Sequence, residues 1–174
     1  MAKRANAVTF KGKPLSLVGP ELKPGDQAPD FACVTPSLEV TNLGKTPAKA
    51  RLFSVVPSLD TGVCSMQTKR FDEAIGALKD RVACYTISLD LPFAQKRFCG
   101  AENINQMQTL SDTHDHSFGE HYGVLMEGLP MPLLSRAVFV VDRAGKITHA
   151  EYVPEVTSHP NYESALAALK AAAG

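Results

Sequence analysis

The stretch RLFSVVPSLDTGVCSMQTKRFDEAIGAL, residues 51–78, changes its hydrophobic period halfway. Its first part, RLFSVVP (51–57), is a continuous apolar run stopped by Pro57, the pattern of a strand buried on both faces. From Val63 onward apolar or small residues return at helical intervals: Met66, Phe71, Ala74, Ile75 and Leu78. Asp60 and Thr61 stand just before them as N-cap candidates. A buried strand, a tight loop and a helix form the first half of a parallel crossover.

The pattern continues on both sides. VACYTISL (82–89) is the next buried strand, and PFAQKRFC (92–99) a short helix opening on Pro92 and ending at Gly100. QTLSD (108–112) reads as a strand edge and SFGEHYG (117–123) as a helical turn. RAVFVVD (136–142) and KITHAEYV (146–153) form a hairpin through Arg143, Ala144 and Gly145, and YESALAALKAAA (162–173) is a terminal helix. Upstream, VTFKGKPLSLV (8–18) reads as an N-terminal hairpin, and FACVT (31–35) with LEVTNL (38–43) as a second strand pair. Between them KPGDQAPDF (23–31) is a surface loop. The order predicts an α/β fold, a mixed central sheet flanked by helices. It is compatible with a thioredoxin-like three-layer core carrying an N-terminal β-hairpin extension, and with other three-layer α/β folds.

With 174 residues, the chain is expected to form one domain, 1–174, with a core that needs no disulfide staples. Its 18 basic and 18 acidic residues cancel, which argues against electrostatic capture of nucleic acid or an anionic membrane. The basic start MAKR is followed by no apolar run, and no stretch approaches the ~18 apolar residues of a membrane span. The expectation is a soluble cytoplasmic protein acting on a small substrate.

Four cysteines, Cys33, Cys64, Cys84 and Cys99, are too few for a secreted disulfide framework, and none has C-x-x-C spacing. Each is by default a small buried hydrophobe. Cys84 alternates into a buried strand with Val82 and Thr86, and Cys33 lies in FACVT; both read as core. Cys64 differs in falling in the first turn of a helix. Unpaired N–H groups and the helix dipole favour negative charge there, and the thiolate is the form that attacks. Thr61, one turn earlier, can set its hydroxyl beside the sulfur, and Gly62 permits close backbone approach. Taken alone, a buried cysteine with Thr61 as a plain cap remains the ordinary reading.

The octapeptide PSLDTGVC (57–64) alters that balance. Its P-x-x-x-T-x-x-C resembles the active-site signature of the peroxiredoxins, and PSLDTGVCSMQTKRF is similar to their thiol peroxidase branch. The likeness continues in ISLDLPFAQKRFCGAENI (87–104), in RAVFVVD (136–142) and in the N-terminal hairpin. Small departures are Asn103 and an extra Cys33. The resemblance implies that Cys64 is the peroxidatic cysteine and Cys99 the resolving one, the two closing an intramolecular disulfide. It implies that Thr61 and Arg136 bind the peroxide and activate Cys64, with Pro57 shielding the site. It further implies reduction of hydrogen peroxide and organic hydroperoxides, thioredoxin as electron donor, a homodimer, and no metal, haem or flavin.

Cys99 lies 35 positions beyond Cys64, across a helix and a strand. A disulfide needs Cα atoms within about 7 Å, so unwinding of one or both helices during turnover is expected. Two other classes stay open on residues alone: a cysteine acyl hydrolase, for which no histidine lies in a recognisable catalytic motif, and a non-catalytic thioredoxin-fold binding protein. His114 and His116 have H-x-H spacing without an evident third ligand and read as a solvated loop. Met126 and Met131 read as packing residues.

Overall fold

The computed structural model describes residues 1–174. The chain opens with a hairpin, β1 (Lys3–Phe10) and β2 (Lys13–Val18), turning on Lys11 and Gly12. Both turn residues have positive φ, 51° and 80°, the sense that suits the right-handed twist of the flanking strands. The hairpin is longer than the expected 8–18. Left-handed Asn6 (φ 52°) accompanies a register shift between Arg4 and Val8, beyond which pairing with β2 resumes. The second strand pair is shorter than expected, β3 (Cys33–Val34) against β4 (Val40–Thr41). Leu38 sits at φ 65°, and the Asn42 carbonyl side chain caps a 3-10 turn at 43–45, so neither end can extend the ladder.

β5 (Ala50–Val55) is buried at every position, as its continuous apolar run requires. It leads into α1 (Gly62–Ile75), β6 (Val82–Ser88), α2 (Pro92–Ala101) and β7 (Gln108–Ser111). β5, β6 and β7 are parallel neighbours, with Ala50 opposite Val82 and Ile87 opposite Leu110. Crossovers between parallel strands are right-handed, which sets α1 and α2 side by side on one face. An ion pair of 2.7 Å, Lys69 to Glu102, joins them.

The chain continues through α3 (Ser117–His121), β8 (Leu125–Glu127), β9 (Leu133–Leu134), β10 (Ala137–Val141), β11 (Ile147–Tyr152) and α4 (Tyr162–Ala173). The main sheet has seven strands in the order β11-β10-β5-β6-β7-β3-β4, with β10 antiparallel to both its neighbours. A second sheet, β1-β2-β8-β9, was not foreseen beyond its first hairpin. β8 and β9 are three and two residues long and flanked by Gly128, Pro130 and Pro132, too short to leave a period-2 signal.

Alternation along the strands divides the interior. Leu52, Cys84, Val138 and Val140 face Phe71 and Ile75 of α1 and Ala165 and Leu169 of α4. Phe53, Tyr85, Ile87 and Phe139 face Phe31, Phe118 and Tyr122 on the other side. Phe118 and Tyr122, one helical turn apart, stack at 4.1 Å. The small sheet packs Val8, Leu15, Leu17 and Met126 onto Val156, while Met131 is exposed. Gly19 and Gly123 fasten it: both have positive φ, and a Cβ would stand 1.9 Å from the Glu120 oxygen or 1.8 Å from the Pro20 oxygen.

α2 ends later than its glycine suggested. Gly100 lies inside the helix, and Asn103 takes the left-handed position (φ 54°) that closes it. The Ile104 N–H then donates to the Cys99 carbonyl at 3.0 Å, the long bond of a Schellman motif.

Candidate active site

The buried end of β5 places Val56 and Pro57 in the interior, and the chain turns through Ser58 to Thr61 into α1. Asp90, in the loop between β6 and α2, holds that turn. Its carboxylate accepts from Ser58 Oγ and the Leu59 N–H, each at 2.8 Å, and from Ser88 Oγ at 2.8 Å. Thr61 occupies the N-cap position but makes no capping bond; its hydroxyl donates to the Ser58 carbonyl at 2.9 Å. The first-turn N–H groups, which have no intrahelical partner, are thus left uncapped by Thr61 on the side of Cys64.

Cys64 is wholly buried beside Val56, Leu59 and Phe98. Arg136, immediately before β10, is only 2% exposed. Its guanidinium spends all three nitrogens on fixed partners. Nε donates to the Val156 carbonyl at 2.7 Å, Nη1 to Gln67 Oε1 at 2.9 Å, and Nη2 reaches Cys64 Sγ at 3.2 Å. Gln67 is itself anchored, its Nε2 donating to Ser54 Oγ at 2.7 Å. The three ion pairs of the molecule lie elsewhere, so no carboxylate neutralises Arg136. Buried charges are costly without a counter-charge, and the sulfur of Cys64 is the group placed to supply one.

A cavity of about 350 Å³ opens beside this pair, lined by Phe10, Pro57, Thr61, Val63, Arg136 and Val156, among others. Gly62 lies between it and a neighbouring groove toward Arg97 and Phe98; its φ is ordinary and a Cβ there would meet only open space. Its contribution is room at the mouth rather than a special backbone conformation.

Pro57, Thr61, Cys64 and Arg136 are therefore drawn together, whereas Cys99 stands apart. All four cysteines are free thiols. Cys99 is half-buried near the end of α2, where burial and then the Asp72 carboxylate push its thiol upward, opposed by a hydrogen bond with Thr109. Asp72 lies eight residues along α1 from Cys64, roughly 12 Å at the helical rise. The neighbouring Phe98, not Cys99, touches the Cys64 cluster.

Cys84 is buried on β6, opposite Leu52 of β5, and burial pushes its thiol up to about 12. Cys33 is buried 3.6 Å from Asp112, which with burial drives its thiol far upward. Both belong to the core. His114 and His116 lie in the turn before α3, with His116 left-handed at φ 59°.

Gln67, Asp90 and Val156 were not singled out from sequence. Gln67 carried a usable signal, since a residue three positions after Cys64 shares its helix face. Val156 acts through its backbone carbonyl, which no side-chain pattern reveals.

The Redoxin family model matches residues 23–166. The thiol peroxidase of Bacillus subtilis (strain 168) is 55% identical over 164 residues, 94% of this chain and 96% of that protein. The thiol peroxidase of Listeria monocytogenes serovar 1/2a is 53% identical over 165 residues, 95% of this chain and 98% of that protein. Among solved structures, a peroxiredoxin-like protein from Aquifex aeolicus superposes with TM-score 0.89 at 42% identity, covering 96% of this chain and 97% of the other. A thiol peroxidase from Chromobacterium violaceum reaches TM-score 0.85 at 18% identity over 94% and 95% of the two chains, a likeness of fold. This chain belongs to the Redoxin family, on its thiol peroxidase branch. It is a peroxiredoxin-type enzyme with a thioredoxin-like fold.

Proposed function

We propose that the protein reduces hydroperoxides with Cys64 as nucleophile and Cys99 as resolving thiol. The observation that carries this reading is the 3.2 Å contact between Arg136 Nη2 and Cys64 Sγ, made by a buried guanidinium with no carboxylate partner. The Cys64 thiolate attacks the terminal oxygen of the O–O bond. Sulfur gains a hydroxyl as Cys–SOH, and the other oxygen leaves as RO⁻ and takes up a proton to become ROH. Charge moves from sulfur to the leaving oxygen, and Arg136 keeps its proton while its Nη2, held in place by the bonds of Nε and Nη1, faces the reacting atoms. Thr61 turns its hydroxyl from Ser58 toward the bound peroxide, and Pro57 keeps water from the sulfur. The Cys99 thiol then displaces water from Cys–SOH, closing the Cys64–Cys99 disulfide.

Phe10, Val63 and Val156 give the cavity an apolar wall, which suits organic hydroperoxides as well as hydrogen peroxide. The family resemblance supplies the rest of the reading: a thioredoxin dithiol reduces the disulfide, and the enzyme works as a cytoplasmic homodimer. No helix is long and apolar enough to cross a membrane.

Turnover of hydroperoxide coupled to thioredoxin tests the assignment. Cys64→Ser is expected to abolish turnover, because a serine hydroxyl offers almost no anion at neutral pH. Cys99→Ser is expected to consume one equivalent of peroxide and then stall with thioredoxin. Undiminished turnover in Cys64→Ser would refute the reading.

A further inference from the structure

Glu155 stands outside the reacting group, on the segment between β11 and α4, yet five donors converge on its carboxylate. Oε1 accepts from the Gly12 N–H at 2.9 Å and Thr9 Oγ1 at 3.0 Å. Oε2 accepts from Thr157 Oγ1 at 2.6 Å, the Thr157 N–H at 2.8 Å and the Lys11 N–H at 3.3 Å. Lys11 and Gly12 are the two left-handed residues of the hairpin turn, whose successive N–H groups make a concave anion seat. The donors hold this carboxyl down to about 2, Thr157 contributing most. Two backbone bonds of 2.8 Å run beside it, Thr9 N–H to the Pro154 carbonyl and Val156 N–H to the Thr9 carbonyl.

The next link is Val156. Its side chain and Phe10 form part of the cavity wall, and its carbonyl is the acceptor that fixes Arg136 Nε. A chain of direct contacts therefore runs from the hairpin turn through Glu155 and Val156 to Arg136 and Cys64. We propose that Glu155 is a positioning residue for peroxide attack, clamping the β1–β2 turn to the 154–157 segment so that Val156 holds both the cavity wall and the Arg136 fork. The proposal rests on the peroxidase reading. It adds that the N-terminal hairpin is a working part of the site, tied to it by the Glu155 carboxylate beside the two Thr9 backbone bonds.

Glu155→Gln is the sharp substitution, because an amide keeps the shape but has one acceptor oxygen for five donors and turns an N–H₂ toward the rest. Single-turnover oxidation by cumene hydroperoxide and by hydrogen peroxide, and reduction of the disulfide by dithiothreitol, are measured separately well below the melting temperature. Both oxidations are expected to slow, the bulky hydroperoxide more, on the order of tenfold or beyond, since small displacements of positioned groups carry that cost. Reduction by dithiothreitol should stay within about twofold, as it does not use the positioned fork. A Glu155→Gln protein with a lower melting temperature and unchanged oxidation rates, or with an unchanged ratio between the two peroxides, overturns the proposal. If that variant does not fold, Thr9→Val removes one donor and must shift the same ratio in the same direction; no shift is equally contradictory. Failure of the wild type to reduce either peroxide would instead overturn the peroxidase reading itself.

Discussion

At the scale of single residues, the site is decided by who faces Arg136. A charge at the start of a strand reads as exposed, and sequence alone gives no reason to bury it. Burial follows because Gln67, Val156 and Cys64 each take one of its nitrogens, so the guanidinium is satisfied in hydrogen bonds yet not in charge. Arg136→Lys tests the fork: an ammonium cannot span three partners in one plane. Peroxide attack is expected to slow on the order of a hundredfold, as for loss of one aimed donor, with disulfide reduction affected less. Equal losses in the two half-reactions, measured by stopped flow, would deny Arg136 its place at the reacting atoms. Pro57, Thr61 and Cys64 were legible as a motif, and Arg136 through the family resemblance. Asp90 and Gln67 were not, because polar residues in a loop or on a helix look alike until a partner is seen.

At the scale of elements, strand β5 and helix α1 were readable because the hydrophobic period changes cleanly at Pro57. α2 was misjudged at its end, since Gly100 draws attention as a stop although Asn103 can adopt the left-handed conformation too. The element that matters chemically is the pair α1 and α2, which hold Cys64 and Cys99 apart in the thiol form. The proposed Cys64–Cys99 disulfide requires that several ties be kept or broken: Lys69 to Glu102, the Schellman bond to the Cys99 carbonyl, and Asp72, which accepts from the N–H groups of Asn105, Gln106 and Met107. Asp72 lies in the second half of α1, so unwinding confined to the first turn of α1 and to α2 leaves it in place as a fixed post. Thr68 Oγ1 also donates to the Cys64 carbonyl at 3.1 Å, a side-chain bond that competes with the regular ladder. Hydrogen exchange is expected to report loss of protection in residues 62–67 and 95–103 on oxidation, with β5 and β6 unchanged. Equal protection of both segments in the two redox forms would mean the thiols meet without unwinding.

At the scale of the whole molecule, the two-faced sheet was foreseen and the second sheet was not, because β8 and β9 acquire strand character only by pairing with β2 and each other. A consequence for stability sits on the aromatic face. Asp112 is fully buried and accepts from Phe118 N–H at 3.0 Å, Gly119 N–H at 2.8 Å and the Cys33 thiol. Burial outweighs these bonds and raises its carboxyl to about 6 from an ordinary 3.8. The folded state therefore holds a proton that the unfolded chain releases. Its contribution is fully present below about pH 4 and declines as pH rises to about 6, by on the order of 3 kcal/mol at most. Urea unfolding at pH 4 and pH 7 should show wild type losing stability relative to Asp112→Asn as pH rises; a difference independent of pH would contradict this.

The central claim is that Cys64 reacts first and Cys99 completes the cycle. Mass spectrometry of the thiol-blocked protein after one equivalent of hydroperoxide addresses it most directly. The account predicts a Cys64–Cys99 disulfide in the wild type, Cys64 sulfenic acid in Cys99→Ser, and unmodified Cys33 and Cys84. Oxidation beginning at any other cysteine, with Cys64 still a free thiol, would contradict it.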